Sequence, residues 1–289
     1  MIPRIVLTLI VTLALTGCGG DDSAGDSAQR DTVVAAFYPL AYAAQQIGGD
    51  SVTVRNLTPP GVEPHDLELS GGEVRGIRDA ALVLYLGGGF QPALEDAIGS
   101  TDATSLDFLE VASPREGGEG GEGAFDPHVW LDPERYRRIV EAIGRELGQP
   151  TRAKTLGARL GNLDEEYRAG LARCIRRDLV TSHDAFAYLA ERYGLRQVPI
   201  TGLTPEAEPT PRELEGVVRD VRSTGATTIF FETLVSPRLA ETVAREVGAE
   251  TAVLNPLEGL SQAQIDRGDD YFAVMRENLA ALRKALGCR

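Results

Sequence analysis

The chain has 289 residues, and its 43 acidic residues against 29 basic residues give a formal net charge of −14. No basic patch interrupts this acidic balance, so nucleic acid is not an expected partner. The charge favours cations only as a long-range bias that salt screens. About 260 residues remain once the N-terminal segments described next are set aside, enough for two domains of ordinary size.

The first residues are typical of a lipoprotein export signal. Arg4 supplies a positive charge, and the apolar run from Ile5 to Leu15 is too short to cross a membrane as a helix. A Leu-Thr-Gly-Cys sequence then ends at Cys18, where the lipobox of bacterial lipoproteins carries a diacylglycerol. We expect residues 1–17 to be a signal peptide and Cys18 to be lipidated. An ordinary secretory peptide with an incidental cysteine is the alternative.

Residues 18–30 are rich in Gly, Asp and Ser, and such a segment cannot bury enough apolar area to order itself. It is predicted to be a flexible tether. The mature protein would then be extracytoplasmic and anchored to the cell membrane by the lipid on Cys18, without a transmembrane helix.

The other two cysteines, Cys174 and Cys288, form an even pair if Cys18 is acylated. In an oxidising location such a pair predicts a disulfide bond. Two separate thiols remain the alternative, because the sequence gives no distance between them.

Short β-rich runs alternate with helical patterns through the first half, which predicts βα units and a parallel sheet. The predicted strands are 31–37, 52–57 and 81–86, and the predicted helices are 39–47, 67–78 and 92–98. A further helix is expected to begin with Asp132 as its N-cap and Pro133 at its first position, and to end near Leu147.

An acidic, glycine-rich stretch, residues 113–125, precedes that helix. It is predicted to be a loop, either a plain solvated linker or a source of carboxylates that concentrate cations near a site.

A long helix is predicted for residues 151–173, in the middle of the chain. Its apolar side chains recur at three- and four-residue spacing, and they are Leu156, Leu160, Leu163, Tyr167 and Leu171. A long helix in this position is a candidate connector between two domains. The βα alternation then resumes, with predicted strands at 178–181, 197–200, 227–231 and 251–254 and helices at 185–193, 212–223, 237–247 and 270–286.

The chain contains three histidines, His65, His128 and His183, each in a loop flanked by Pro, Asp or Ser. His65 and His183 follow predicted strands, where open α/β sheets place ligand sites. Because His65 and His128 belong to the first half and His183 to the second, a shared site would lie between domains. Neutral imidazoles suit zinc, which takes four ligands in a tetrahedron.

The fourth ligand of such a site should come from the second half. The residues alone leave four carboxylates open, namely Glu206, Glu208, Glu232 and Glu258. The wide spacing of the histidines matches no local zinc motif.

Four sequence blocks resemble one protein family, the zinc- and manganese-specific solute-binding lipoproteins of bacterial ABC importers (ZnuA/AdcA-like). The blocks are Pro64–Glu68 (PHDLE), Asp126–Pro133 (DPHVWLDP), Ser182–Phe186 (SHDAF) and Leu254–Leu260 (LNPLEGL). The resemblance runs from about Asp31 to the C-terminus, and the second block is highly specific. It implies an α/β protein whose two lobes, each with a parallel sheet, are joined by one long helix. The lobes would be residues 31–149 and 175–289, with the connecting helix at 150–174 and the metal in the interlobe cleft.

The resemblance also implies the ligands: His65, His128 and His183, with Glu258 ahead of Glu232 as the fourth. Manganese-type members typically carry a carboxylate at the third histidine position, so His183 favours Zn over Mn. The chain departs from many zinc-type members before His128, where glutamates and glycines replace a histidine-rich loop.

The expected function is therefore zinc capture outside the cytoplasm and delivery to an ABC permease and its ATPase, by a monomer that is not an enzyme. Three alternatives remain open at this point. One is a manganese-binding importer component. Another is a zinc-dependent hydrolase in which the three histidines hold zinc and Glu258 is the general base. The last is a lipoprotein adhesin with a structural metal.

Overall fold

The computed structural model describes residues 31–115, 125–205 and 209–289. The predicted signal peptide, Cys18, the tether and the middle of the acidic stretch lie outside the described residues. Glu206 and Glu208 lie outside them as well. No helix in the described segments is long and apolar enough to cross a membrane.

The first lobe is a parallel sheet flanked by helices. Its strands are β1 (Asp31–Ala35), β2 (Val52–Asn56), β3 (Leu82–Tyr85) and β4 (Ser105–Asp107), and its helices are α1 (Tyr38–Gly48), α2 (Gly71–Arg78), α3 (Pro92–Thr101) and α4 (Pro133–Glu146). The strand order is β2-β1-β3-β4. Val33 of β1 pairs with Val54 on one side and with Leu82 on the other, so β1 lies inside the sheet.

The second lobe repeats this arrangement. Its strands are β5 (Asp178–Thr181), β6 (Arg196–Pro199), β7 (Thr228–Phe231) and β8 (Glu250–Val253), all parallel, in the order β6-β5-β7-β8. Helix α5 (Pro150–Leu171) precedes this sheet, and the helices after it are α6 (Ala187–Tyr193), α7 (Pro211–Thr224), α8 (Arg238–Val247), α9 (Gln262–Arg267) and α10 (Tyr271–Leu286). The expected α/β class with two parallel-sheet lobes is confirmed.

Helix α5 (Pro150–Leu171) connects the lobes. It buries the five apolar side chains that its sequence pattern predicted. Tyr167 of α5 donates its hydroxyl to the carbonyl of Met275 in α10, at 2.6 Å. Just after α5, Cys174 forms a disulfide bond with Cys288, beyond the end of α10. Helices α5 and α10 are thus held together by a hydrogen bond between them and by a disulfide bond just beyond their C-terminal ends.

The two lobes differ in how their helices are buried. Helix α1 buries eight of its residues, six of them in the main apolar core, which extends from the first lobe across α5 and α10 into the second. Helix α7 buries only Val221. A separate small cluster lies beneath α7 and α8, formed by Val180, Ile200, Val221, Ile229, Ala240, Val243 and Ala244. The outer layer of the second lobe therefore has its own, smaller core.

Three elements differ from the sequence predictions. The helix predicted from Leu67 begins only at Gly71, because Ser70 and Glu73 form a capping box that fixes its start. Strand β4 and helix α9 were not predicted. They are three and six residues long, too short for a periodic apolar pattern to stand out.

Candidate metal centre

Four side chains that can ligate a metal meet between the lobes. Each of His65, His128, His183 and Glu258 offers one ligand atom, and these atoms all lie within 4.8 Å of one another. Two of the residues belong to each lobe. Three of the four side chains are fully buried, whereas the side chain of His65 is 8% exposed.

The fold places three of these residues at the carboxyl ends of strands. His65 lies in the loop after β2, His183 lies two residues after the end of β5, and Glu258 lies in the loop after β8. Parallel strands end at a common sheet edge, where α/β proteins bind ligands. His128 does not follow a strand. It lies immediately before a 3₁₀ turn at Val129–Leu131 that leads into α4.

The distances within the group suit a small tetrahedral ion. Glu258 Oε1 lies 3.0 Å from Nε2 of His128, 3.3 Å from Nε2 of His65 and 3.6 Å from Nε2 of His183. The Nε2 atoms of His128 and His183 are 3.3 Å apart. Zinc bonds of about 2.0–2.1 Å in a tetrahedron separate ligand atoms by about 3.3–3.4 Å. These four of the six distances within the group therefore lie close to the spacing of a zinc tetrahedron.

Buried carboxylates orient the two deepest imidazoles. Nδ1–H of His128 donates to Asp126 Oδ1 at 2.7 Å, and Nδ1–H of His183 donates to Glu232 Oε1 at 2.5 Å. A neutral ring with its proton on Nδ1 presents a lone pair at Nε2. The two Nε2 atoms thus face the space shared with Glu258, an arrangement that a cation stabilises.

Glu232 was one of the open candidates for the fourth ligand. The structure places it behind His183, where its Oε1 also accepts a hydrogen bond from Ser182 Oγ at 2.5 Å. It is Glu258 that stands among the three Nε2 atoms. Sequence reasoning did not assign Asp126 a role, although this residue lies in the Asp-Pro-His block two positions before His128. Side chains two positions apart can form a hydrogen bond, so this spacing could have indicated that Asp126 orients His128.

The electrostatics of the group are strongly coupled. Burial opposes protonation of His183, but the carboxylates of Glu232 and Glu258 outweigh it and raise the pKa of His183 well above its usual value. Burial alone would raise the pKa of Glu258, but hydrogen bonds from the three histidines hold it well below the usual range. His65 differs, because its burial lowers its pKa.

Glu63 is a further buried acid beside the group, and sequence reasoning did not single it out. Its Oε2 accepts the backbone N–H of His65 at 2.8 Å. Burial and the nearby charge of Glu258 raise the pKa of Glu63 to about 10. The raised pKa favours the neutral form of this carboxyl group, which supports the His65 backbone without adding a second negative charge.

A cavity of about 250 Å³ opens beside His65. Both lobes line it, the first through Phe90, Phe125 and Pro127 and the second through Leu203. The edge of Phe90 packs on the His65 ring, with 4.7 Å between ring centroids. Of the four residues in the group, His65 is the one that lines this cavity.

Comparison with known proteins gives one family and several close relatives. Residues 33–285 match the family model of the periplasmic zinc-uptake complex component A, ZnuA. The high-affinity zinc uptake system protein ZnuA of Bacillus subtilis is 35% identical over 300 residues, covering 95% of this chain and 94% of the relative. The zinc-binding lipoprotein AdcA of Streptococcus pneumoniae is 34% identical over 303 residues.

That alignment covers 97% of this chain but 60% of AdcA, so the chain spans little more than half of that relative. The Zn(II)-bound crystal structure of S. pneumoniae AdcA matches with a TM-score of 0.76 at 33% identity, over 89% of this chain and 58% of AdcA. The laminin-binding protein Lmb of Streptococcus agalactiae, described as an adhesin with metal-transporting activity, matches with a TM-score of 0.80 at 29% identity. That match covers 89% of this chain and 99% of Lmb.

Proposed function

Because this chain belongs to the family of the periplasmic zinc-uptake complex component A, we propose that it captures Zn²⁺ outside the cytoplasm and delivers it to an ABC-type importer. The single observation that carries the proposal for this chain is the group of four ligand atoms. Three imidazole nitrogens and one carboxylate oxygen lie within 4.8 Å of one another in a buried interlobe site. Zinc is the cargo of this site, one ion per chain.

The proposed ligands are His65, His128, His183 and Glu258. Three nitrogen donors and one oxygen suit zinc better than manganese, which favours oxygen ligands and a larger coordination number. This donor set supports zinc over the manganese alternative.

We further propose that the protein is not an enzyme. A catalytic zinc keeps one position open for water or substrate, whereas the proposed ligands fill all four. The hydrolase alternative needs Glu258 to stand back from the ion as a general base. Its Oε1 instead lies 3.0 Å from the Nε2 of His128, inside the ligand group.

The surroundings of the site are also part of the proposal. The permease and its ATPase would receive the ion, and the protein would act as a monomer anchored to the membrane through a lipid on Cys18. The proposed division is a signal peptide at 1–17, a tether at 18–30, lobes at 31–149 and 175–289, and the connecting helix at 150–174. Named relatives with zinc-uptake and lipoprotein descriptions support this setting.

Native mass spectrometry of protein purified without chelator tests the function. We expect one zinc per chain, removable by a strong chelator and restored on titration, with zinc preferred over manganese in competition. The matched control is Glu258→Gln, which keeps the size of the side chain but weakens the proposed fourth ligand. Absence of stoichiometric zinc binding by the wild type, or a preference for manganese, would contradict the proposal.

A further inference from the structure

The loop that carries Glu258 is held by side chains from distant parts of the chain. Asn255 donates its backbone N–H to Asn278 Oδ1 at 2.9 Å, and Asn278 Nδ2 donates back to the Asn255 carbonyl at 2.7 Å. Leu257 donates its N–H to Asn255 Oδ1 at 2.7 Å. These bonds fix the start of the loop to α10 but do not reach the residue that immediately precedes Leu257.

That residue, Pro256, is held from the other lobe. Trp130 donates its indole Nε1–H to the Pro256 carbonyl at 2.7 Å, and both groups are buried. Pro256 lies two positions before Glu258, and Trp130 lies two positions after His128. One hydrogen bond therefore connects the backbone near the fourth proposed ligand to the segment that carries the second.

Trp130 is itself rigidly placed. Its carbonyl accepts the hydroxyl hydrogen of Tyr271 in α10 at 2.7 Å. Its ring packs edge-on against Phe37, with 4.7 Å between centroids, and lies 5.3 Å from the His128 ring. An indole fixed by packing and by a backbone hydrogen bond can hold a partner at a defined position.

The loop needs such a restraint because Leu257 has a φ of +59°. A leucine in this left-handed region is strained, and such a conformation persists only when the surrounding structure imposes it. The bond from Trp130 lies directly before Leu257. Without it, the loop could relax at Leu257 and carry the carboxylate of Glu258 away from the three imidazoles.

We propose that the indole N–H of Trp130 is a positioning group for the zinc site, which sets the place of Glu258 through the Pro256 carbonyl. This inference rests on the proposed zinc-binding function. It adds that Glu258, the fourth ligand, belongs to the second lobe but is positioned by Trp130 of the first lobe. Trp130 would not contact the ion itself and would act only through the loop that carries Glu258.

The test is Trp130→Phe, which keeps an aromatic ring but removes the N–H donor. We expect zinc affinity to fall at least about tenfold, as for other groups that orient metal ligands. Co²⁺ substitution gives the spectroscopic signature. The intense visible absorption of four-coordinate cobalt should weaken in the variant, as water molecules take the place of a displaced Glu258 and raise the coordination number of the ion.

The matched control is Tyr136→Phe. Tyr136 donates its hydroxyl to the Pro39 carbonyl at 2.6 Å, and it is buried against the ring of Tyr271. This variant loses a comparable buried hydrogen bond in the same aromatic cluster, but that bond goes to Pro39 and not to Trp130 or the Glu258 loop. We expect it to lower the melting temperature while leaving the zinc affinity and the cobalt spectrum unchanged.

A double-mutant cycle separates positioning from general destabilisation. In a Glu258→Gln background, Trp130→Phe should change the zinc affinity less than about twofold, because the ligand that it positions is already lost. Equal losses in both backgrounds would overturn the inference, and so would an unchanged cobalt spectrum in Trp130→Phe. Should Trp130→Phe not fold, Tyr271→Phe removes the hydrogen bond to the Trp130 backbone carbonyl and should show the same coupling with Glu258. If the wild type itself does not bind zinc, the proposed function fails instead.

Discussion

The site contains two regions that hold their imidazoles in different ways. His128 and His183 are fully buried, and a buried carboxylate fixes the Nδ1 of each. His65 stands on the loop formed by residues 57–70, beside a cavity. There a carboxyl group supports its backbone N–H, and the edge of Phe90 supports its ring. We infer that the buried pair supplies most of the affinity, whereas the His65 loop provides the side from which an ion arrives or leaves.

The largest expected difference between the two regions comes from removing an imidazole. His128→Ala should weaken zinc binding on the order of 100-fold or more, since one ligand of a buried site is lost and water cannot readily replace it. His65→Ala should reduce zinc affinity by a factor about tenfold smaller than His128→Ala does, because the adjoining cavity can admit a water ligand. Competition titration with a zinc chelator measures both. Equal losses would break the distinction between the regions.

Removing the carboxylates behind the rings should have the next largest effect. Asp126→Asn and Glu232→Gln should each weaken zinc binding about 10- to 100-fold. The native carboxylates orient the rings of His128 and His183 and make these rings more basic. Glu63→Gln is the comparison in the other region and should change affinity less than about threefold, because Gln can still accept the N–H of His65. A Glu63 effect as large as that of Glu232 would show that the His65 region is equally constrained.

His183→Asp tests whether the buried pair also sets the metal preference. Replacing one nitrogen donor by an oxygen should weaken zinc and shift the preference towards manganese. Competition between the two ions, followed by native mass spectrometry, reads the ranking directly. An unchanged ranking would count against His183 as a ligand.

The two regions should also respond differently to pH. His183 has a raised pKa, so in the metal-free protein it keeps a proton that zinc must displace. Zinc affinity should therefore fall steadily from about pH 8 to about pH 5. His65 has a lowered pKa and is already neutral, so its replacement by Gln should leave that slope nearly unchanged. Affinity that stays flat over this range would argue against a three-histidine site.

The stability of the metal-free protein should have the opposite pH dependence. The raised pKa of His183 means that its ion pair with Glu232 stabilises the fold below the unfolded-state pKa of about 6.5. That contribution is lost as pH rises through the folded-state pKa. Thermal unfolding with and without zinc should show the zinc-induced gain in melting temperature increasing with pH. The variant His183→Gln should show a weaker metal-free trend, because His128 and Glu63, whose pKa values are also raised, still contribute to it.

The smallest expected effect on affinity belongs to Phe90. Phe90→Leu keeps an apolar side chain against His65 but removes the flat ring edge, so zinc affinity should change by less than about threefold. Dissociation of zinc, followed by stopped-flow mixing with a chelator, should nevertheless become faster. A slower dissociation would contradict the assignment of this side as the exit.

Most of the architecture was predictable because strands and helices alternate with clear apolar patterns. The late start of α2 depended on the capping box at Ser70 and Glu73, which competes with the apolar pattern that begins at Leu67. The grouping of the histidines was predictable in outline from their position after strands. The resemblance of the Leu254–Leu260 block pointed to Glu258.

The supports behind the site were not predictable, because they depend on contacts between distant residues. Glu232 and His183 are 49 positions apart, and the carboxylate could equally have been a ligand until its place behind the ring was known. Trp130 and Pro256 are 126 positions apart. Neither spacing carries a periodic signal, so only the folded chain identifies these partners.

The bond between Cys174 and Cys288 makes residues 174–288 a covalently closed ring. His183 and Glu258 both lie within that ring. A protease that cuts one peptide bond between them would therefore open the ring without dividing the molecule. The nicked protein would migrate as two fragments only after reduction, and until then both second-lobe zinc ligands would remain attached to the same molecule.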